Sequence, residues 1–455
     1  MIRFENSYVS ALPGAYLRLN PAVPPEPRLL AWNDALARDL GLQISEAEAA
    51  VWFSGAVVPD GAEPVALAYA GHQFGGFSPQ LGDGRAHLLG EFLGPDGRRW
   101  DLQLKGSGRT PFSRGGDGKA VVGPMLREYL ISEAMAALGV PTTRSLAVVA
   151  TGEMILRQDG PLPGAVVARV AASHIRVGTF QFFAARGQMA ELQALTDYTI
   201  ARHYPDAVGA LGLFDAVVAR QCRLIAQWMG LGFVHGVMNT DNMALSGETI
   251  DYGPCAFMDA YAPGTVFSSI DRQGRYAYAN QPAIMAWNLA RLAEALLPFF
   301  DPDAAQAADI ANASLEAFAG LYQQEWLSEM RRKLGLTDAD QGDAALIADL
   351  LALMPGRDWT LTFRRGFDGL GDWRQRWLDR AGPGAEARAQ AANPAVIPRN
   401  HRVEAALQAA NQGDMVPFHA LLVAVTDPFG PETRREAFVL PPPDGLTPYV
   451  TFCGT

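Results

Sequence analysis

The sequence predicts an α+β fold in two lobes, β-rich up to about residue 185 and helical beyond it. Three observations carry that expectation. Two β-like runs, Ala86-His-Leu-Leu-Gly-Glu-Phe-Leu93 and Arg99-Trp-Asp-Leu-Gln-Leu-Lys105, are joined by Gly94-Pro-Asp-Gly97, and Asp-Gly between such runs signals a hairpin. A glycine-rich segment, Gly106 to Gly118, then leads into a long apolar helix from about Val121 to Leu138, closed by Gly139 and Pro141. Beyond this region apolar residues recur mainly at helical spacing.

Taken in order, residues 1–60 are rich in Pro and lack sustained periodicity, apart from a short helix expected around Leu29 to Leu40. They read as an arm that packs on the body. Residues 61–185 form the β-rich lobe, where a further strand, Ala165-Val-Val-Ala-Arg-Val-Ala171, precedes His174 and Arg176. Residues 186–455 form the helical lobe, with helices expected over Leu213–Met229, Ala283–Leu297, Asp303–Leu334 with a break, Asp343–Leu353 and His401–Gln412. Asn242 to Asp251 reads instead as a short hairpin, because Ser246-Gly-Glu is a turn sequence. The Ala-rich patch Ala385 to Ala395 reads as a surface helix or linker, and no internal repeat is visible.

Composition narrows the class. With 455 residues, 49% hydrophobic and 19% charged, the chain can bury a substantial core. The net charge of −11 is spread without long single-sign blocks, so no nucleic-acid or anionic-membrane partner is expected. Cys222, Cys255 and Cys453 show neither CxxC nor Cys/His spacing, which argues against a disulfide scaffold and a structural zinc site. No signal peptide is recognisable, and no apolar run approaches the ~20 residues of a membrane span, so the expected compartment is the cytoplasm.

The chemistry concentrates in His235-Gly-Val-Met-Asn-Thr-Asp-Asn242 and Asp251-Tyr-Gly253. A kinase catalytic loop has a general-base Asp two residues after the His, a metal-binding Asn further on, and a second metal-binding Asp in the D-F-G element. His235, Asn242 and Asp251 fit these positions, but Val237 stands where the base belongs. Mg²⁺ favours carboxylate and amide oxygens with phosphate and water, so Asn242 and Asp251 make a plausible pair; both are also ordinary turn residues. Asp241 is the carboxylate available within the loop to accept a proton from an attacking hydroxyl, although a turn aspartate explains it too. Lys105 ends a strand as the ATP-contacting lysine of kinases does, and Glu128 on the following apolar helix needs a cation if it is to be buried. An exposed strand-end lysine and a solvated glutamate explain the same two residues. Leu81-Gly-Asp-Gly-Arg-Ala86 precedes the hairpin where a kinase glycine loop covers phosphates, with Gly82 and Gly84 allowing close backbone approach and Arg85 adding charge. Gly115-Gly-Asp-Gly-Lys119 is expected at the N-terminus of the long helix, where an anion is favoured. It lacks the Walker A pattern, which disfavours a P-loop enzyme.

These pieces occur together with Gly71-His-Gln-Phe-Gly75, Leu104-Lys-Gly-Ser-Gly-Arg-Thr-Pro-Phe-Ser-Arg114 and Arg127-Glu-Tyr129. In that order and wording the chain resembles the selenoprotein O family, also called YdiU, over nearly its full length. The resemblance implies a protein-kinase-like two-lobed fold with extra helices, pseudokinase in its catalytic loop, and an activity of protein adenylylation. ATP would be bound flipped relative to kinases, with AMP passing to Ser, Thr or Tyr hydroxyls of proteins and pyrophosphate leaving. Carried over residue by residue, it implies nucleotide contacts by Gly82, Gly84, Arg85, Lys105, Asp117, Gly118, Arg169, Arg176 and Asp251. It further implies Mg²⁺ or Mn²⁺ on Asn242 and Asp251, Asp241 as proton acceptor, and Glu128 as partner of Lys105. Cys453 stands where some members carry selenocysteine, and a regulatory pairing with Cys255 is a further expectation. A monomer is the simplest assembly. Two rivals remain open: phosphotransfer to a small molecule, against which Val237 counts, and a nonenzymatic nucleotide-binding scaffold. UMP transfer from UTP is a variant of the first reading.

Overall fold

The computed structural model of the chain describes residues 2–158, 160–432, 435–443 and 449–451. Among these, the strands are β1 (Tyr16–Arg18), β2 (Arg28–Trp32), β3 (Val65–Leu67), β4 (Gly71–Gln73), β5 (Gly76–Ser78), β6 (Ala86–Leu93), β7 (Arg99–Lys105), β8 (Ala120–Val121), β9 (Arg144–Arg157), β10 (Gly160–Ala171), β11 (Phe233–Val234) and β12 (Ala256–Phe257). An antiparallel sheet runs in the order β1-β3-β6-β7-β10-β9-β2, with β8 added on β10; β4–β5 and β11–β12 are separate pairs. The fold is α+β, as expected, with this sheet in the first part of the chain and helices in the second.

The hairpin expected at residues 86–105 is β6–β7, in register from Ala86 opposite Lys105 to Leu93 opposite Arg99. β7 lies inside the sheet between β6 and β10, which buries Leu102 and Leu104 and delivers Lys105 at the strand end. β10 sets Arg169 opposite Gln103. The first sixty residues, read as an arm, contribute β1 and β2 to this sheet. The helix expected over Leu29–Leu40 is confined to Asp34–Asp39, capped by the Asn33 side chain accepting from the Leu36 N–H. Arg28–Trp32 is strand instead: its apolar run suits either conformation, and pairing of Leu29 with Val149 and Ala31 with Val148 decides it.

The helix Val122–Ala137 is buried almost all round because it lies between two layers. Leu126, Leu130 and Ala134 share a core with Val148 and Val167 of the sheet, and with Val403, Leu407, Phe418 and Leu421 of helices Asn400–Asn411 and Val416–Val425. Farther on, Gly209–Leu231, Gln281–Phe300 and Ala304–Lys333 pack together, the last running unbroken where a break is expected. Asp343–Leu353 has its expected bounds. Ala385–Ala392 is a helix that buries Ala385 and Ala389, so it belongs to the packed body and is no linker. The stretch Tyr278–Phe300 is long and apolar enough to cross a membrane by length and composition, contrary to expectation. Its Met285, Leu289, Leu292 and Leu296 are buried in the helical core, which accounts for that character. Asn242–Asp251 does not close on itself as a hairpin. Ala244 bridges Arg176 and Thr249 bridges Thr142, so each flank of the turn is held by a different element.

A buried ionic cluster ties the helix Met189–His203 to the sheet. Arg202 donates to Asp101 of β7 and lies 3.6 Å from Glu91 of β6, while the N–H and Nδ1 of His174 stand 2.8 and 2.9 Å from Asp101 Oδ2. Burial pushes the Asp101 carboxyl up, but Arg202 and His174 outweigh it and hold the group down at about 2. The folded state therefore keeps Asp101 ionised to lower pH than the unfolded chain, where a carboxyl titrates near ~3.9. Its contribution is complete above about pH 4 and is lost as pH falls towards 2. Asp101→Asn leaves Arg202 short of its main counter-charge and is expected to destabilise by about 3–5 kcal/mol, read from urea unfolding at pH 7. The variant is also expected to lose less stability than wild type between pH 5 and pH 3.

Candidate active site

Three cations and two carboxylates meet where β7, β10, the Glu128 helix and the Asp251 loop converge. Lys105 Nζ lies 2.6 Å from Glu128 Oε2 and 2.7 Å from Asp251 Oδ1. Arg169 NH1 lies 3.1 Å from Glu128 Oε1 and 2.6 Å from Asp251 Oδ1, and its NH2 donates to Gln103 Oε1 at 2.5 Å. Arg176 NH1 reaches Asp251 Oδ2 at 2.5 Å and the Asp241 carbonyl at 2.6 Å, with its guanidinium 4.9 Å from the centre of the Tyr69 ring. Burial alone would raise the Asp251 carboxyl, yet Lys105, Arg176 and Arg169 hold it well below the ordinary range. Asp251 adopts a left-handed backbone, φ 65°, which Asp tolerates better than most residues.

The cluster forms the charged wall of a cavity of about 330 Å³. Gly82, Gly84, Arg85, Lys105, Asp117, Gly118, Arg169, Arg176, Asn242 and Asp251 all line it, joined by Arg114 and Lys119. Cations therefore outnumber carboxylates around the space, as an anionic ligand requires. Two residues singled out from sequence stand behind the lining: Glu128, which holds Lys105 and Arg169, and Asp241. Gly82 and Gly84 have a second reason to be glycine, since a Cβ would lie 2.4 Å from the Phe112 ring at Gly82 and 2.9 Å from the Phe112 carbonyl at Gly84. Asp117 accepts from the Lys119 N–H at 2.9 Å and from Arg157 at 2.8 Å on the exposed rim. The Gly115–Lys119 segment does not cap the long helix: β8 intervenes, and Lys119 bridges Ser107.

His235 is structural in this loop. Its Nε2 lies 2.9 Å from the Ile250 carbonyl, its ring stacks on Trp228, and burial lowers its pKa. A neutral ring donating from Nε2 thus ties the Asn242 side of the loop to the Asp251 side. Val237 lines the cavity and its carbonyl accepts from Asn242 Nδ2 at 2.9 Å, which directs the amide oxygen of Asn242 elsewhere. Asp241 is buried; Oδ2 accepts from Gln73 Nε2 at 3.3 Å, and Oδ1 has no hydrogen-bond partner among the described residues. Burial, opposed by Arg176, pushes its carboxyl up to about 6. Cys255 is buried, whereas Cys453, its expected partner, lies outside the described residues.

Several site residues carry no sequence motif of their own. Asp83, inside Gly82-Asp83-Gly84, is buried, accepts from Gln103 at 2.9 Å and Tyr69 at 3.3 Å, and is pushed up to about 6 by burial. Gln103 is the available signal: a polar side chain on an inner strand between Leu102 and Leu104 implies a buried polar partner. Among the described residues no group of three or more His, Cys, Asp or Glu is placed to hold a metal. Asn242 and Asp251 bring one amide and one carboxylate side chain to the lining of the same cavity. That partial set fits Mg²⁺ or Mn²⁺, because such ions complete their shell with substrate phosphates and water.

This α+β chain gathers Lys105, Arg169 and Arg176 around one carboxylate at the wall of a cavity of about 330 Å³, an anion-binding arrangement of the kind a nucleotidyltransferase requires. It belongs to a defined family: the model described as protein adenylyltransferase SelO matches residues 1–383. The chain is 59% identical to the protein nucleotidyltransferase YdiU of Cereibacter sphaeroides (strain ATCC 17029), with 100% of this chain and 99% of that one covered. It is 52% identical to the protein of that name from Agrobacterium fabrum (strain C58), with 100% of both covered. Membership sets aside the scaffold reading. Asp251→Asn leaves three cations facing Glu128 alone. We expect a stability loss on the order of 3 kcal/mol without nucleotide, partly restored by millimolar inorganic pyrophosphate as a substitute anion, both read from thermal unfolding.

Proposed function

We propose that the protein transfers AMP from ATP to Ser, Thr or Tyr hydroxyls of proteins and releases pyrophosphate, on a two-lobed frame of protein-kinase type. One arrangement carries this reading: a cation cluster around Asp251, and next to it the buried Asp241 carboxylate with an unpartnered oxygen, in a loop whose position 237 is valine. Transfer of the γ-phosphoryl group as in kinases would call on a base at position 237, and valine supplies none. Attack on the α-phosphorus makes pyrophosphate the leaving group, and that group concentrates charge where Arg85, Lys105, Arg169 and Arg176 line the cavity. In the step itself the Asp241 carboxylate takes the hydroxyl proton, a bond forms between that hydroxyl oxygen and the α-phosphorus, and the bond from the α-phosphorus to the bridging oxygen breaks. Burial suits Asp241 to this, since a carboxyl raised to about 6 is still ionised near pH 7 and is a stronger base than an exposed one.

Gly82, Gly84, Asp117 and Gly118 border the same cavity and are assigned the remaining nucleotide contacts. Asn242 and Asp251 would hold Mg²⁺ or Mn²⁺, which when bound neutralises charge on the phosphates. Glu128 acts through Lys105 and Arg169 by fixing where their charges sit. The test is label transfer from α-³²P-ATP and γ-³²P-ATP. Protein is expected to take label from the α position alone, and label from the γ position alone would support a kinase instead. Asp241→Asn is expected to cut the transfer rate by about 10²–10⁴-fold while ATP still binds. Lys105→Met is expected to weaken ATP binding itself, measured by calorimetry, and unchanged affinity would remove the phosphate-clamp role.

A further inference from the structure

The β4–β5 hairpin stands against the catalytic loop yet shows two aromatic rings to solvent. Phe74 is 38% and Phe77 44% exposed. The hairpin is fastened to the loop through its backbone: the His72 N–H donates to Thr240 Oγ1 at 2.7 Å, and the Phe74 N–H to Asn239 Oδ1 at 3.1 Å. Gln73 reaches Asp241, and at Gly71 a Cβ would sit 2.8 Å from Asp241 Oδ1, so only a glycine lets the hairpin lie this close. Its two-residue turn is Phe74-Gly75, with φ 51° at Phe74. A bulky side chain in the left-handed region costs on the order of 1–3 kcal/mol and occurs mainly at functional sites. Here that backbone sets the Phe74 ring edge-on to Tyr276, 5.1 Å between ring centres, with the ring still partly open to solvent.

The surroundings indicate what covers those rings. Phe77 lies opposite His72, whose N–H is turned outward from the pair to Thr240; the N–H and C=O of Phe77 therefore point outward on the other edge. An extended chain can lie along that edge. Next to the hairpin tip, Arg275 stacks its guanidinium 4.8 Å from the centre of the Trp287 ring and 5.7 Å from that of Tyr276. Its Nε is buried with no hydrogen-bond partner, and Arg275 forms no ion pair among the described residues. One donor goes to the Tyr276 hydroxyl, and an arginine stacked in this way keeps its other in-plane donors for a carboxylate.

We propose that this hairpin, with Arg275 and Trp287, docks the acceptor protein. It takes an extended segment whose hydroxyl residue sits at Asp241, with a large apolar or aromatic side chain on Phe74 and Phe77 and an acidic side chain on Arg275. Because an extended chain advances only about 3.3 Å per residue, these flanking groups are expected within a few positions of the hydroxyl. The proposal rests on the transferase reading above and adds the sequence context that the acceptor carries.

The test uses the full-length protein, α-³²P-ATP, and an oriented library of ten-residue peptides with a central Ser, Thr or Tyr and each flanking position set to Asp, Lys, Phe or Ala. Wild type is expected to favour Asp over Lys, and Phe over Ala, by about tenfold at particular positions flanking the hydroxyl residue. Arg275→Glu should invert the charge preference and Phe77→Ser erase the aromatic one, both with unchanged ATP affinity. Identical flanking preferences in wild type and Arg275→Glu, or none in wild type, would overturn the docking assignment. Labelling of folded proteins but of no peptide, or of this chain alone, would overturn the extended acceptor segment while leaving the transferase reading intact. If α-label reached neither peptide nor protein, the transferase reading would fall and the docking proposal with it.

Discussion

Everything at the centre of this protein answers to one electrostatic constraint: Lys105, Arg169 and Arg176 must be held together inside the fold around Asp251. Like charges at this spacing repel strongly in a poorly solvated interior, so the arrangement exists only because counter-charges and acceptors sit between them. Glu128 bridges Lys105 and Arg169, Asp251 touches all three, and Gln103 and the Asp241 carbonyl take further donors. Each contributor comes from a different part of the chain. The sheet presents Lys105 and Arg169 on adjacent strands, and the doubly covered helix puts Glu128 within hydrogen-bond reach of both.

The residual positive charge gives the site its chemistry. With three cations against two carboxylates, the cluster is one charge short of neutrality and borders a cavity that adds Arg85, Arg114 and Lys119. A polyphosphate completes that balance. On the other face of the same loop Asn239, Thr240 and Asp241 are each contacted by the β4–β5 hairpin, the surface proposed to dock the acceptor. In this proposal nucleotide and acceptor meet at one short segment of backbone, which His235 anchors to Ile250.

Much of this was legible in the sequence where signals were local. Asp-Gly between alternating runs marked the β6–β7 hairpin, and Glu128, one of few charged residues on an apolar helix, carried a conditional signal: if buried, it needs a cation. The resemblance implied Arg169 and Arg176 only as nucleotide contacts; their convergence on Asp251 emerges from the structure, because two arginines far from the loop carry no local sign of where they point. Readings failed where non-local pairing chose between locally equivalent conformations. Leu29-Leu-Ala-Trp32 became strand because β9 lies beside it, and β9 itself, buried around Leu146-Ala-Val-Val149, shows no alternation to announce it. The turn at Ser246-Gly-Glu is real, but its flanks belong to Arg176 and Thr142. Asp83 and Gln73 were passed over because each is defined by a contact with a distant side chain.

The central claim is that this cation cluster drives off pyrophosphate, so that the acceptor keeps the adenylate. Intact-mass spectrometry of an acceptor protein after incubation with ATP, a divalent cation and this enzyme tests that most directly. The account predicts a gain of one adenylate on a hydroxyl residue, with an equal amount of pyrophosphate in solution. A gain of one phosphoryl group, with ADP as the product, would contradict it.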